Sequence, residues 1–194
     1  MASRARSPVR SCSSDNSVID QRLVASDELS SGDLTAMRAL FDAAWAGGFS
    51  GEDWDHTFGG VHVLRSDDGE LISHGAVAGR TLWLNGRALR VGYLEAVATW
   101  PGHQRQGHAT AVVEALDRIV VDAYDLGGLS TGRRRFYERL GWLGWRGPLA
   151  VRTPEGDVPT PEERNAIMVL PTPRVPDPDL DAALVCDWRT GDVW

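Results

Sequence analysis

The stretch LEAVATWPGHQRQGHAT, from Leu94 to Thr110, decides how this chain is read. Its first part continues a run of period-two segments, and its second part is a Gln104-Arg105-Gln106-Gly107-His108-Ala109 turn that opens a long helix. From Ala109 to Tyr124 the apolar positions Ala109, Val112, Val113, Leu116, Ile119, Val120 and Ala123 fall on one helical face, and Gly127 supplies a stop. A strand that turns directly into a helix presents backbone N–H groups with no partner inside the helix. With Gly107 permitting close approach and Ala109 keeping the surface small, those groups suit a pyrophosphate. The glycines do not follow G-x-G-x-x-G, and no G-x-x-x-x-G-K-[ST] occurs, which disfavours a dinucleotide or a nucleoside triphosphate.

Working outward, RLVASDEL reads as a first strand. Residues Ser31 to Ala46 read as a helix, with Leu34, Met37, Leu40, Phe41 and Ala44 at helical spacing and Ser31 or Asp33 as cap. VHVLRS, the turn DDGE and LISHGAVAG form a hairpin, and TLWL, Asn85-Gly86 and ALRVGYLEAVAT continue the antiparallel meander. After the long helix come GGLS as a short buried strand, RRRFYERLG as a short helix, and two closing strands over Trp142 to Arg152 and Ala166 to Leu170. The Pro-rich segments PEGDVPTPEE and PTPRVPDPD read as loops. The expected fold is α+β, with a mixed, mostly antiparallel central sheet flanked by helices.

The 194 residues fit one domain over 22–194, preceded by a flexible Arg- and Ser-rich tail over 1–21. That tail lacks the apolar stretch of a secretion signal, so a cytoplasmic protein is expected; a mitochondrial address, similar in composition but without a convincing amphipathic face here, is the minority alternative. Cys12 and Cys186 lie at opposite ends of the chain and suggest no disulfide framework. A net charge of −7 argues against nucleic acid and favours attraction of cationic small molecules; no apolar run is long enough for a membrane. The five histidines show no H-E-x-x-H spacing, so no metal is expected. Arg133, Arg134 and Arg135 stand at a helix start, where either a phosphate partner or a solvated charge run fits. A homodimer is one compatible assembly.

Gln-x-x-Gly-x-Ala after a strand, with Phe136-Tyr137-x-x-x-Gly141-Trp142 further on, resembles the GNAT superfamily of acetyl-CoA-dependent N-acetyltransferases. The resemblance implies that the backbone of Gln104, Arg105, Gln106, Gly107, His108, Ala109 and Thr110 holds the CoA pyrophosphate. It implies that Val97, Ala98 and Thr99 pair with the pantetheine arm like an added strand. It also implies a sheet splayed at the acetyl-CoA site next to Val97, with an N–H free to meet the thioester oxygen as charge grows there. DWDHTFGGVH from Asp53, GYLEAVA from Gly92 and the closing CDWRTGDVW look like the aminoglycoside 2'-N-acetyltransferases. This resemblance implies that Asp192 and the Trp194 carboxylate bind the ammonium groups of an amino sugar, with Glu95, Ser130 and Glu163 in supporting positions. Where the family often has an acidic residue before Phe49, this chain has Ala46-Gly47-Gly48, and its Ser130 to Tyr137 segment is short. Both features point to a smaller or less cationic acceptor, for which kasugamycin is the specific candidate.

Direct transfer requires a neutral amine, so some group must take the amine proton. Glu95, on the strand face shared by Val91, Tyr93 and Val97, is the expected base, acting through a water, with its pKa raised by apolar neighbours. The Trp194 carboxylate is expected to orient the water or the amine, and Tyr137 to protonate the departing thiolate. No cysteine occupies a motif position, which favours a ternary complex over an acetyl-cysteine route. Two rival readings are acetylation of a protein N-terminus or lysine, and a CoA-binding domain without turnover. The acidic tail speaks against the first, and the intact motif with Glu95 and Tyr137 against the second.

Overall fold

The computed structural model describes residues 18–194, so Cys12 and most of the expected tail lie outside the described residues. A 14-residue α1, Ser31–Ala44, follows the opening strand β1, Ile19–Ala25, which starts three residues before the expected domain boundary at 22. Ser30 caps α1, one residue ahead of the expected cap: its Oγ accepts from the Asp33 N–H at 3.1 Å, and Asp33 Oδ2 accepts from the Ser30 N–H at 3.0 Å. The helix ends at Ala44 because Ala46 and Gly47 turn left-handed, with φ of 52° and 78°. A second capping box, Ser50 with Asp53, starts a short α2, Gly51–His56, that periodicity did not reveal.

The strands β2 (Gly60–Asp67), β3 (Glu70–Leu84) and β4 (Arg87–Thr99) form the expected meander. The β3–β4 turn is Asn85-Gly86, both at positive φ, as a two-residue hairpin requires. The helix α3 spans His108–Ala123. Gly127 does not stop it; it lies inside β5, Leu126–Ser130. The chain leaves the helix at Tyr124 because the Asp125 N–H donates to Arg90 O and Asp125 Oδ2 accepts from the Arg90 N–H, which lays β5 alongside β4.

After α4, Arg134–Glu138, the closing region differs from expectation. Instead of two strands it holds β6 (Leu143–Gly144), β7 (Leu149–Thr153), β8 (Gly156–Pro159), β9 (Ile167–Pro171) and β10 (Leu184–Asp187). Gly147-Pro148 breaks the expected Trp142 to Arg152 strand in two. The Pro-rich GDVP, expected as loop, is an exposed edge strand, where a proline needs no ladder partner.

One ten-stranded sheet results, in the order β6-β9-β5-β4-β3-β10-β7-β8, with β2 and then β1 attached to the first half of β3. Only β4–β5 and β10–β7 are parallel, which agrees with a mixed, mostly antiparallel α+β fold. The core lies on both faces. Val112, Val113, Leu116 and Val120 of α3 pack on one side, close to the sheet because Gly75 and Gly92 lie beneath them. Fully burying each such side chain contributes about 1.5–3 kcal/mol. On the opposite side Tyr93, Trp145, Leu184 and Trp194 form a second cluster, and Met37, Leu40 and Phe41 of α1 anchor a third.

Candidate active site

Two features of β4 organise the site. The β4–β5 ladder contains only Val91 with Leu126, Gly92 with Gly127 and Tyr93 with Gly128; beyond these, β5 pairs with β9 alone. The sheet therefore splays past Tyr93. At the same place the β3–β4 register shifts, and Ala96 takes a left-handed φ of 50°. This bulge flips the side-chain alternation. Glu95 stays on the face of Val91 and Tyr93, while Val97 turns to the α3 side and packs near Gly75, so the expectation that Val97 shares Glu95's face is corrected.

Beyond the splay, Gly107 takes a φ of 87° and α3 starts without a side-chain cap, so the first N–H groups of the helix face outward. A Cβ on Gly107 would meet nothing within 4 Å. The turn is held by its own side chains: Gln104 Nε2 donates to Thr99 O at 3.3 Å and Gln106 Nε2 to Gly102 O at 3.1 Å. The His108 ring is buried and receives Arg65 Nε at 3.1 Å, which leaves its backbone rather than its imidazole for a ligand. An uncapped helix terminus, open space over Gly107 and the adjoining splay fit the pyrophosphate and pantetheine arm of a CoA thioester.

On the other face of β4 a cleft is lined by Phe49, Asp53, His56, Tyr93, Glu95 and Ala96, and by Ser130, Arg189, Asp192 and Trp194. Arg189 holds it together. Its guanidinium donates to Glu95 Oε1, to the Trp194 main-chain oxygen and to Asp192 O, each at 2.7 Å. Burial raises the Glu95 pKa to about 6, opposed by the Arg189 charge, so the apolar surroundings expected for Glu95 are only part of its setting. The Trp194 indole is buried and donates to Thr160 Oγ1 at 2.9 Å, and Asp192 Oδ1 accepts from the Trp194 N–H at 3.0 Å. His56 Nε2 lies 2.9 Å from Thr190 O, tying α2 to the same tail. The Tyr93 hydroxyl is buried without a partner among the described residues.

Residues 26–143 match the family model for an acetyltransferase (GNAT) domain. The chain is 41% identical over 177 residues to the aminoglycoside 2'-N-acetyltransferase of Mycolicibacterium fortuitum, covering 89% of this chain and 91% of that protein. The chain is a GNAT acetyltransferase of the aminoglycoside 2'-N-acetyltransferase family. Solved structures agree on the fold. A GNAT family N-acetyltransferase of Escherichia coli in complex with CoA superposes with a TM-score of 0.58 at 19% identity, over 90% of this chain and 93% of that one. ElaA of Escherichia coli superposes with a TM-score of 0.56 at 14% identity, over 79% of this chain and 99% of that one. Enzymes of this family take the acetyl group from acetyl-CoA.

Of the residues that sequence reasoning selected in this acetyltransferase, the cleft brings together Glu95, Ser130, Asp192 and Trp194. Glu163 is not among the lining residues; burial first, and then the charges of Asp192 and Glu162, raise its pKa. Tyr137 is outside this cleft, on the α3 side of the sheet to which Val97 turns: it packs against Phe136 and Trp142, and burial keeps its hydroxyl protonated far above its ordinary range. Arg134 donates to Asn165 O at 3.2 Å and pairs with Glu138 at 3.8 Å, so its place in the run of three arginines is structural. Asp53, His56, Tyr93 and Arg189 were missed as site residues. Asp53 carries a readable local signal, a capping box three residues after Ser50, and it also lines the cleft. Arg189 has no local signal. Among the described residues no group of three His, Cys, Asp or Glu side chains could hold a metal ion, and no helix is long and apolar enough to cross a membrane. Cys186 is free and buried, its thiol pushed up to about 11 by desolvation.

Proposed function

We propose that this acetyltransferase moves the acetyl group of acetyl-CoA to the 2'-amino group of an aminoglycoside-type antibiotic, by direct transfer with both substrates bound, and so confers resistance. The observation that carries the reading is the convergence of Glu95, Asp53 and Asp192 in one cleft beside the splay, with a cation, Arg189, already seated among them. Such a cleft recognises ammonium groups, and the net charge of −7 steers a polycation toward it. Arg189, a cation within the cleft, dilutes its negative charge. That dilution supports a less cationic acceptor, and kasugamycin is the one we propose.

Bound acetyl-CoA supplies an activated acyl thioester. Glu95 takes the amine proton: with a pKa of about 6 it is mostly ionised at neutral pH yet basic enough to accept. The unpartnered Tyr93 hydroxyl holds the water through which that proton passes. Val97 N–H meets the thioester oxygen as negative charge gathers on it. Asp53, Asp192 and the Trp194 main-chain oxygen, with Glu163 and Ser130 at the margin, orient the acceptor. Val97 to Thr99 and Gln104 to Thr110 hold acetyl-CoA through their backbones. Tyr137, kept protonated by burial, gives its proton to the departing thiolate.

The test is CoA release from purified protein and acetyl-CoA with kasugamycin, several 2'-amino aminoglycosides and their 2'-hydroxy counterparts. Turnover confined to 2'-amino compounds and kasugamycin is expected, with kasugamycin preferred. Release with peptides but none of these compounds would overturn the reading.

A further inference from the structure

Three polar side chains form a chain beneath the sheet, from its edge to the bulge in β4. Ser26 Oγ lies 3.0 Å from His62 Nε2, His62 Nδ1 lies 3.0 Å from His74 Nε2, and His74 Nδ1 lies 2.9 Å from Ala96 O. Both imidazoles are fully buried. The direction of every bond follows from the last one. A carbonyl oxygen only accepts, so His74 Nδ1 carries the proton and, in a neutral ring, its Nε2 accepts. His62 Nδ1 then donates, and His62 Nε2 takes the Ser26 hydroxyl proton, for which Gly60 O at 3.1 Å is the competing acceptor. Ser26 Oγ is itself fixed by the N–H groups of Gly59 and Gly60, each at 3.1 Å. Burial keeps both rings neutral, lowering their pKa values to about 4 for His62 and about 3 for His74. An amide oxygen is not a proton acceptor at ordinary pH. The chain therefore orients a group instead of relaying a proton.

The oriented group is the Ala96–Val97 peptide. No cis bond occurs among the described residues, so this peptide is planar and trans, with its carbonyl oxygen and N–H on opposite edges. Holding Ala96 O toward His74 turns the Val97 N–H away from β3, at the stretch of β4 that β5 has already left. The same bulge sends Glu95 to the acceptor cleft and Val97 to the α3 side. A left-handed alanine is strained, so the conformation persists only where its surroundings hold it.

We propose that His74, backed by His62 and Ser26, is a positioning residue for acetyl transfer that locks the Ala96–Val97 peptide with its N–H facing the thioester oxygen. The proposal rests on the reading of the β4–β5 splay as the acetyl-CoA site. Two isosteric variants separate positioning from stability. His74→Asn places an amide N–H where Nδ1 stands and keeps the bond to Ala96 O, but abandons His62. His74→Gln places its amide where Nε2 stands and keeps His62, but abandons Ala96 O.

On stability the glutamine variant is the milder; on catalysis the order reverses. His74→Gln lowers kcat on the order of tenfold to a hundredfold with KM for acetyl-CoA changed less than about threefold, and His74→Asn restores kcat to within about fivefold of the parent. The infrared carbonyl stretch of ¹³C-labelled acetyl-CoA, bound without any acceptor, reads the same contact. It lies below the free value in the parent and in His74→Asn, and returns toward it in His74→Gln. A kcat order that follows thermal stability, or one stretch in all three proteins, would sink the proposal. Because the infrared arm needs no acceptor, it decides the matter even if every proposed amine fails. Should His74→Gln not fold, Ser26→Ala at the far end replaces it: a smaller fall in kcat at constant KM supports the chain, and an unchanged kcat overturns it.

Discussion

Glu95 stands between opposing influences, and their balance sets when it can act. Burial pushes its pKa up to about 6, while the Arg189 guanidinium 2.7 Å away holds it down. A base works deprotonated, so kcat/KM should rise with pH through about 6 and level off above it. Glu95→Gln should lower kcat about a hundredfold or more and leave the dissociation constant of acetyl-CoA nearly unchanged, as read by initial rates and titration calorimetry. Arg189→Gln removes the opposing charge and leaves burial unchecked. The acidic limb of the pH profile should then move upward, on the order of one unit. A limb that stays in place or moves down would show that another group titrates.

At the scale of elements, the strand-turn-helix from β4 into α3 is proposed to bind acetyl-CoA with backbone atoms, so its glycine is judged by where a Cβ would point. At Gly107 a Cβ meets no protein atom within 4 Å, yet the φ of 87° is one that alanine adopts only under strain. Gly107→Ala is therefore expected to cost stability by about 1–2 kcal/mol. It should also raise the dissociation constant of CoA on the order of tenfold, since the new methyl projects where the pyrophosphate approaches. Urea unfolding and CoA titration measure the two effects separately. A loss of stability with unaltered CoA affinity would move the pyrophosphate off this turn.

For the whole molecule, buried ionisable groups decide how stability follows pH. Asp117, half-buried under the Trp142 indole that donates to it at 3.1 Å, has its pKa raised to about 7 by desolvation. A carboxyl raised in the folded state binds more protons there than when unfolded, so it destabilises the fold as pH climbs from about 4 to about 7. His62 and His74, lowered to about 4 and about 3, act in the opposite sense: the fold loses stability as pH falls below the ordinary histidine value of 6.5. Asp117→Asn keeps the acceptor for Trp142 and removes the ionisation. Relative to the parent it should match stability near pH 4 and gain about 1–2 kcal/mol by pH 8, a figure discounted for partial solvent screening. A gain that is the same at both pH values would mean that Asp117 does not titrate in this range.

Local signals carried most of the architecture. Helical spacing marked α1 and α3, alternation and Asn85-Gly86 marked the β3–β4 hairpin, and Gln-x-x-Gly-x-Ala marked the turn that opens α3, because each depends on neighbours a few residues apart. Glu95, Asp192 and Trp194 were singled out from short segments that resemble a family, and they line one cleft. The partners of these residues were not singled out. Arg189 and Glu95 are 94 residues apart, and Asp53 enters the cleft from α2, so only the closing of the sheet brings those charges together. GDVP pairs as an edge strand because a neighbouring strand offers a ladder, which no property of a proline-rich stretch announces. The bulge at Ala96 was the least visible: strict alternation placed Val97 with Glu95, and the left-handed residue that separates them is held by a histidine on another strand. Period and motif are written along the chain, whereas the electrostatics of the cleft and the turn of one peptide plane depend on distances through space that exist only once the chain has folded.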